Sequence, residues 1–324
     1  MKKAFLYSVL GFFLLGVLDS CDSSNALEKE IAEIEIDLQY DRFDKKFFNA
    51  DRNEFYALKA EYPYLFPPQY PDSIWLKRQR DSIQVVLQKE IDRVFPTLDG
   101  VTKDLKPLLQ HIRYYFPETS DPKIITVTNN VDYQNKTVCA DSLILLSLDT
   151  FLGPKNELYK GIPAYIVRDM ELPYLSAHLA DEFAISVTPS PKDRTLLGQM
   201  IYYGKKLYLK DRLLPQTSDA IKISYTEDEI DWVKDNERYM WQYFIENELL
   251  YKTQANYALR FIEPAPFSKF YLEIDNESPG KVGQWLGWQI VRAYAEKNPE
   301  VTLQELLQLP AQTLFNQSKY KPAK

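Results

Sequence analysis

His178 stands at the centre of the residue group whose types best fit a chemical site. On a helix, positions 171, 178, 181 and 182 fall on one side, which would bring Glu171, Asp181 and Glu182 near the imidazole. Carboxylates and an imidazole together can bind a cation or transfer a proton. The HExxH motif of zinc peptidases, however, needs two histidines one helical turn apart, and the only other histidine is His111. We therefore interpret the group as a polar helix face, and we predict no metal, no cofactor and no catalytic residue.

Two further carboxylates, Glu237 and Glu248, fall on the apolar face of a helix that is predicted to begin after Thr226. Thr226 and Glu229 have the spacing of a capping box, in which each side chain binds a free backbone amide of the first turn. A carboxylate on a core-facing stripe must find hydrogen-bond donors or its pKa rises, so both are functional candidates. Such carboxylates are also common structural tethers, and we interpret Glu237 and Glu248 in this way while leaving a functional role open.

A third candidate is the helix predicted over 281–297, in which small residues recur beside indole rings. The glycines would let another backbone approach closely, and the aromatic side chains could stack on a ligand. A helix that is apolar on two sides is usually buried, so burial within the fold is the simpler interpretation. The residues concerned are Gly280, Gly283, Gly287, Trp285, Trp288 and Arg292.

The first residues have the pattern of a bacterial lipoprotein leader. Lys2 and Lys3 precede an apolar run over 4–18, which is short for a membrane span and suited to a secretory signal. The run ends in Leu-Asp-Ser-Cys at 18–21, which resembles a lipobox, although Asp19 departs from the usual small residue.

This pattern predicts a signal peptide over 1–20, acylation of Cys21 and a lipidated tether over 21–26. Two or three acyl chains hold a protein stably at a membrane, so the predicted location is the cell envelope. Cys139 would then be the one remaining thiol, and we interpret it as a small buried residue.

Residues 27–324 are predicted to form a single, mainly helical domain with a small β-sheet, an α+β fold. Apolar residues make up 45% of the 324-residue chain, which is enough for a sizeable core. The net charge of −7 provides no basic surface for nucleic acid, and the ten glycines form no phosphate-binding loop. Apolar spacing and capping residues predict helices over 27–38, 74–94, 103–115, 164–185, 193–211, 226–251, 281–297 and after Thr302, and strands over 123–128 and 142–148.

Several stretches of the chain resemble the GldB family of gliding-motility lipoproteins of Bacteroidota. They are IYYGKKLY at 201–208, WQYFIE and LLY within 241–251, APFSKF at 265–270, and SPG followed by WLGWQIVR within 278–292. The resemblance extends over essentially the whole chain, leader included. It implies an envelope lipoprotein that is needed for gliding motility, in machinery linked to type IX secretion, with no established catalytic activity.

GldB-like chains are also distantly similar to zincin-type predicted peptidases, in which a small sheet precedes two helices that carry metal-binding motifs. In this chain the corresponding segments, near 172–183 and 203–205, lack the histidine pair and the acidic residue. The comparison implies a degenerate zincin-like helical domain that has lost its metal, a pseudo-peptidase.

The leading hypothesis is a non-catalytic envelope lipoprotein. It would contact the membrane through acyl chains on Cys21 and other gliding or type IX secretion proteins through its folded body. One alternative is a zincin-derived hydrolase that uses Glu237 or the His178 group. Another is a ligand-binding lipoprotein that uses Trp285 and Trp288. The binding partner, the membrane leaflet and the oligomeric state do not follow from the sequence.

Overall fold

A four-stranded mixed sheet organises the first half of the chain. The computed structural model describes residues 26–140, 142–273 and 275–322. The strands are β1 (Gln39–Asp41), β2 (Lys123–Val127), β3 (Thr137–Ala140) and β4 (Leu143–Ser147). Their order is β1-β2-β4-β3; β1, β2 and β4 are parallel, and β3 runs antiparallel to β4. The two edges of the sheet are therefore β1 and β3.

The central strand β2 is covered on both faces. Its side chains alternate between the faces, so Ile124 packs into a large helical core and Ile125 into a smaller aromatic core on the other side. Both isoleucines are fully buried. A parallel strand that is buried in this way needs the nearly continuous apolar sequence that predicted it.

Helices cover the sheet and build the second half of the molecule. Before the sheet there is a short helical segment over 26–32. The named helices are α1 (Phe43–Asn49), α2 (Arg52–Glu61), α3 (Asp72–Gln79), α4 (Ser82–Val94), α5 (Asp99–Tyr115), α6 (Ala164–Val167), α7 (Leu175–Val187), α8 (Leu196–Leu213), α9 (Asp219–Ile223), α10 (Glu227–Glu246), α11 (Ala255–Phe261), α12 (Val282–Lys297), α13 (Leu303–Gln308) and α14 (Ala311–Ser318).

Helix α8 carries apolar side chains into both large cores. Leu209 packs in the core beside the sheet, whereas Ile201 packs in the carboxyl-terminal core. Helix α12 crosses α8 at Gly204 and Gly287, and a Cβ placed on Gly287 would overlap the carbonyl oxygen of Met200. The glycine spacing noted in the sequence thus serves a close contact between two helices.

Several predictions from the sequence are confirmed. The fold is mainly helical with a small sheet. Thr226 and Thr302 both form capping boxes, at the starts of α10 and α13. The strands predicted over 123–128 and 142–148 are β2 and β4, whereas β1 and β3 were not predicted.

Other predicted elements have different boundaries. The helix over 74–94 is divided into α3 and α4, because the Asp81 carboxylate accepts a hydrogen bond from Ile83 N and starts a new helix. The helix over 164–185 is divided, because α6 ends at Val167 and Glu171 pairs with Leu152 in a β-bridge before a 3-10 turn leads into α7. The helix over 27–38 ends near residue 32, and the chain then pairs with β2 as β1.

Candidate functional site: a polar cleft around His178

His178 lies on α7 and forms a polar group with Lys136 and Asp169. Its Nε2 atom is 3.2 Å from Lys136 Nζ and 3.4 Å from Asp169 Oδ2. Lys136 Nζ also donates a hydrogen bond to Asp169 Oδ1. Lys136 precedes β3, and Asp169 follows α6. Two segments that precede α7 in the chain therefore bring a buried ion pair to the imidazole.

The charge of Asp169 is set by its neighbours. Burial alone would raise its pKa, but His178 and Lys136 outweigh that effect and hold the pKa well below its usual range. The carboxylate is therefore ionised and balances the Lys136 ammonium. His178 Nε2 lies near both a donor, Lys136 Nζ, and an acceptor, Asp169 Oδ2, so the protonation of the imidazole decides whether Nε2 accepts or donates there. In this arrangement the group can hold a proton or bind a polar ligand.

The three carboxylates grouped around His178 by sequence spacing, Glu171, Asp181 and Glu182, do not form one site with it. Asp181 pairs with Lys210, whose Nζ lies 2.6 Å from Oδ2, and with Lys206 at 3.8 Å. Glu171 forms an isolated backbone bridge with Leu152. In the part of the chain that the structure describes, no three His, Cys, Asp or Glu side chains are placed to hold a metal ion. The polar face of α7 is thus partnered mainly by lysines.

A cleft of about 670 Å³ opens beside this group. The sheet side contributes the segment before β3 and the end of α6, while the carboxyl-terminal side contributes α11 and the segment before α12. Its charged and aromatic lining includes Tyr133, Lys136, Tyr165, Arg168, Asp169, His178, Tyr225, Glu263 and Lys281. Aromatic rings, cations and a buried carboxylate thus line one concave surface, the usual form of a ligand site.

Lys281 is the cation of the cleft that has no carboxylate partner within the described residues. Its Nζ donates a hydrogen bond to the carbonyl of Ile223. Burial lowers its pKa to about 8, and the charge of Asp169 acts in the opposite direction. Arg168, by contrast, is paired with Glu229. An anion that entered the cleft would favour the charged form of Lys281.

The indole rings of α12 are part of the core. Trp285 and Trp288 are 2% and 0% exposed, so they offer no surface on which a ligand could stack, and the ligand-binding alternative based on them is wrong. Trp288 Nε1 donates to Asp211 at 2.8 Å. Arg292 lies over the Trp288 ring and forms ion pairs with Asp211 and Asp219.

Glu237 acts as a structural tether, as predicted. Its carboxylate accepts hydrogen bonds from Trp285 Nε1 at 3.1 Å and from the Tyr320 hydroxyl at 2.7 Å. Glu248, in contrast, lies beyond the end of α10, at a positive φ, and is exposed. Its predicted place on the apolar face was therefore wrong, because the helix ends at Glu246 and does not reach Tyr251.

Of the two cysteines, Cys139 lies within the described residues, whereas Cys21 and the predicted leader lie outside them. Cys139 lies on β3 and is exposed, so the prediction of a buried residue was wrong. Neighbouring parts of the chain nevertheless shield the thiol from water. This desolvation and the negative charge of Glu182 together raise the pKa of Cys139 to about 12. A thiol with this pKa stays protonated near neutral pH and is a poor nucleophile.

The comparison with protein families covers nearly the whole chain. The model described as gliding motility protein GldB matches residues 24–322. The chain belongs to the GldB family. Its membership associates this GldB-family protein with gliding motility, and the family label marks a group of lipoproteins. No helix within the described ranges is long and apolar enough to cross a bilayer.

No protein with a curated description and no solved structure matches this GldB-family chain. The similarity to zincin-type peptidases that was inferred from the sequence therefore has no support from these comparisons.

Sequence reasoning found His178 but missed Lys136, Asp169 and Lys281. Lys136 and Asp169 are 33 positions apart, and their contact depends on how the chain returns after the sheet. The one local signal is the position of Lys281 directly after Gly280, at the start of a predicted helix. A Cβ on Gly280 would overlap the backbone of Ala265, so the glycine lets the cleft wall approach this lysine.

Proposed function

We propose that this protein is a lipid-anchored component of the cell envelope that is required for gliding motility and acts non-catalytically, through contacts with other proteins of the gliding and type IX secretion apparatus. The family match over 24–322 is the observation that carries the proposal. The lipobox-like sequence at 18–21 supports an acyl anchor on Cys21, which lies only a few positions before the helical segment over 26–32.

The contacts of the candidate catalytic residues favour a binding role over hydrolysis. Of the two hydrolase candidates, Glu237 is engaged by Trp285 and Tyr320. His178 is engaged by Lys136 and Asp169. Catalysis by either would need these contacts to be broken first.

Deletion of the gene tests the role in motility. We expect the deletion strain to form non-spreading colonies, and we expect the wild-type gene on a plasmid to restore spreading. Colony spreading and single-cell tracking on glass measure both results. A deletion strain that glides at the normal rate would contradict the proposal.

Replacement of Cys21 tests the anchor. Cys21→Ala should leave the protein without acyl chains, so it should move from the membrane fraction to the soluble envelope fraction and fail to restore spreading. Cys139→Ala is the matched control, because it removes the other thiol and should keep both location and motility. Mass spectrometry of the mature amino terminus would show the acyl chains directly, and an unmodified Cys21 would refute the anchor.

A further inference from the structure

The edge strand β3 has one side free of any strand. Ser147 N donates to Lys136 O at 3.0 Å, and β3 pairs with β4 from Thr137 onward. Hydrogen-bonded and non-hydrogen-bonded pairs alternate along an antiparallel ladder. The N–H and C=O groups of Thr137 and Cys139 consequently point away from β4. Within the described ranges no other strand pairs with them.

The free edge is accessible over its second half and leads back to the cleft at its first residue. Val138 is 41% exposed, and Cys139 is exposed as well, whereas Thr137, at the cleft end, is 5% exposed. Lys136 is at once the residue before β3 and part of the cleft lining. An extended chain that paired with β3 would thus continue directly into the space between Lys136 and Lys281.

Charge is distributed unevenly along this path. At the cleft end, Lys281 lacks a carboxylate partner within the described residues, and Lys136 and Arg168 add two paired cations. The same lining contains the carboxylates of Asp169 and Glu263, so its three cations exceed its carboxylates by one. At the far end, Glu182 of α7 is close enough for its charge to act on the Cys139 thiol. Helix α7 packs against β3. Along the edge the charge therefore changes from the Glu182 carboxylate at one end to a small excess of cations at the cleft end.

We propose that β3 and the cleft together bind the carboxyl-terminal end of an extended peptide, which adds to β3 as an antiparallel strand and places its terminal carboxylate near Lys281. Strand addition gains affinity from main-chain hydrogen bonds, and binding of the chain end fixes the direction in which the peptide lies along the strand. This inference deepens the proposed function, because it names the kind of protein contact that the body makes.

The charges select the orientation of the peptide. An antiparallel strand runs from the Ala140 end of β3 toward Thr137, so its carboxyl end arrives at the cations. A parallel strand would bring its amino terminus to the same cations and leave its carboxylate near Glu182. The cleft also contains Tyr133 and Tyr165, whose rings can pack on the last side chains while the hydroxyl groups reach polar atoms.

The probe is a library of random hexapeptides, synthesised once with free carboxyl ends and once with amidated ends. The full chain, purified from its host and immobilised, is exposed to each library, and captured peptides are counted by mass spectrometry. We expect capture of the free-acid library to exceed that of the amidated one by about tenfold, as for loss of one charged hydrogen bond. Equal capture of the two libraries, or none of either, would overturn the inference.

Two lysine variants locate the carboxylate. Lys281→Met should remove the preference for free carboxyl ends, whereas Lys155→Met, an exposed lysine outside the cleft lining, should keep it. Circular dichroism establishes that both variants are folded. If folded Lys281→Met kept the full preference, the cleft would not be the site.

Methylated peptides test the strand contact without altering the protein. A captured peptide is resynthesised with N-methyl groups at alternate residues, in the two possible registers. We expect one register to lose binding at least tenfold and the other to keep it, because only alternate amides face β3. Equal effects of the two registers would refute strand addition.

Competing anions separate a peptide site from other sources of negative charge. Inorganic phosphate and phosphatidylglycerol vesicles should displace the captured peptides only weakly. If either bound in a manner that depended on Lys281 while neither peptide library was captured, the peptide inference would fall. The proposed role in motility would then still stand or fall by the deletion strain, so the two failures can be told apart.

Discussion

At the scale of single residues, the charge balance of the cleft depends on Asp169. Its carboxylate holds the Lys136 ammonium in a place where both side chains are largely removed from water, 12% and 8% exposed. A buried ion pair adds little stability compared with an apolar pair of the same shape. Removal of one partner is nevertheless costly, because the other charge is left without compensation.

We predict that Asp169→Asn lowers the free energy of unfolding by about 3 kcal/mol near neutral pH. The folded pKa of Asp169 lies below its unfolded value of about 3.9. The stabilising contribution is therefore complete above that unfolded value and is lost as the pH falls below it toward the folded pKa. Urea unfolding at a series of pH values should show the difference between the wild type and the variant shrinking in acid.

Asp235→Asn serves as the control for this series, since Asp235 is exposed on α10. Its effect should remain within about 0.5 kcal/mol at every pH. A constant difference between the wild type and Asp169→Asn from neutral pH into acid would show that the ion pair is not the source of the effect.

Residues differ in how far the sequence could reveal their roles. The tether at Glu237 was predictable, because its place on the apolar face of α10 follows from helical periodicity alone. The pairing of Lys136 with Asp169 was not, since it needs the position of β3 and the turn after α6. Lys281 had no signal of its own beyond the glycine before it. Local geometry is therefore encoded near the residue, whereas the cleft is a product of the whole fold.

At the scale of elements, the closest contact in the carboxyl-terminal half is the crossing of α8 and α12. Gly204 faces the backbone of Gly287, and Gly287 in turn faces the carbonyl of Met200. Backbone atoms cannot move aside as a flexible side chain can. Any side chain at Gly287 must therefore separate the two helices and disturb the packing of both.

We predict that Gly287→Ala lowers the free energy of unfolding by about 3 kcal/mol, at the upper end of the cost of overpacking a core. Thermal and chemical unfolding measure the loss. Gly100→Ala in the first turn of α5 is the matched control, because its Cβ would meet only the flexible end of Leu172 at 3.0 Å. That variant should change stability by less than about 1 kcal/mol. Equal effects of the two substitutions would contradict the close backbone contact between α8 and α12 at Gly287.

Elements also show why some boundaries were predictable. The capping boxes at Thr226 and Thr302 involve four consecutive residues each, so the sequence contains the whole interaction. Strand β1 has only three residues, and it exists because it pairs with β2 about 80 residues later. A periodic apolar pattern continues across residues 168–171, but the helix ends at Val167 and Glu171 forms a β-bridge with Leu152, which is distant in the sequence. Interactions between residues that are close in the sequence can thus be predicted from it, whereas pairing between distant strands cannot.

At the scale of the whole molecule, α8 connects the two large cores. Leu209 is fully buried beside the sheet, and Ile201, two turns earlier on the same helix, is buried in the carboxyl-terminal core. A helix cannot remain folded in one half while it is melted in the other without losing its hydrogen bonds midway. We therefore propose that residues 27–324 unfold as one cooperative unit.

Leu209→Ala tests this coupling from the middle of the molecule. Truncation of a fully buried leucine should cost about 3 kcal/mol, and the loss should appear equally in both halves. Trp75 packs against the aromatic core under the sheet, whereas the other four tryptophans belong to the carboxyl-terminal core or pack against it. A variant in which those four are replaced by Phe therefore reports the sheet half, and Trp75→Phe reports the carboxyl-terminal half. We expect coincident urea midpoints that move together, with Leu272→Ala, at an exposed position, as the unaffected control. Separate midpoints would mean that the two cores are independent domains, because α8 would then have melted between them.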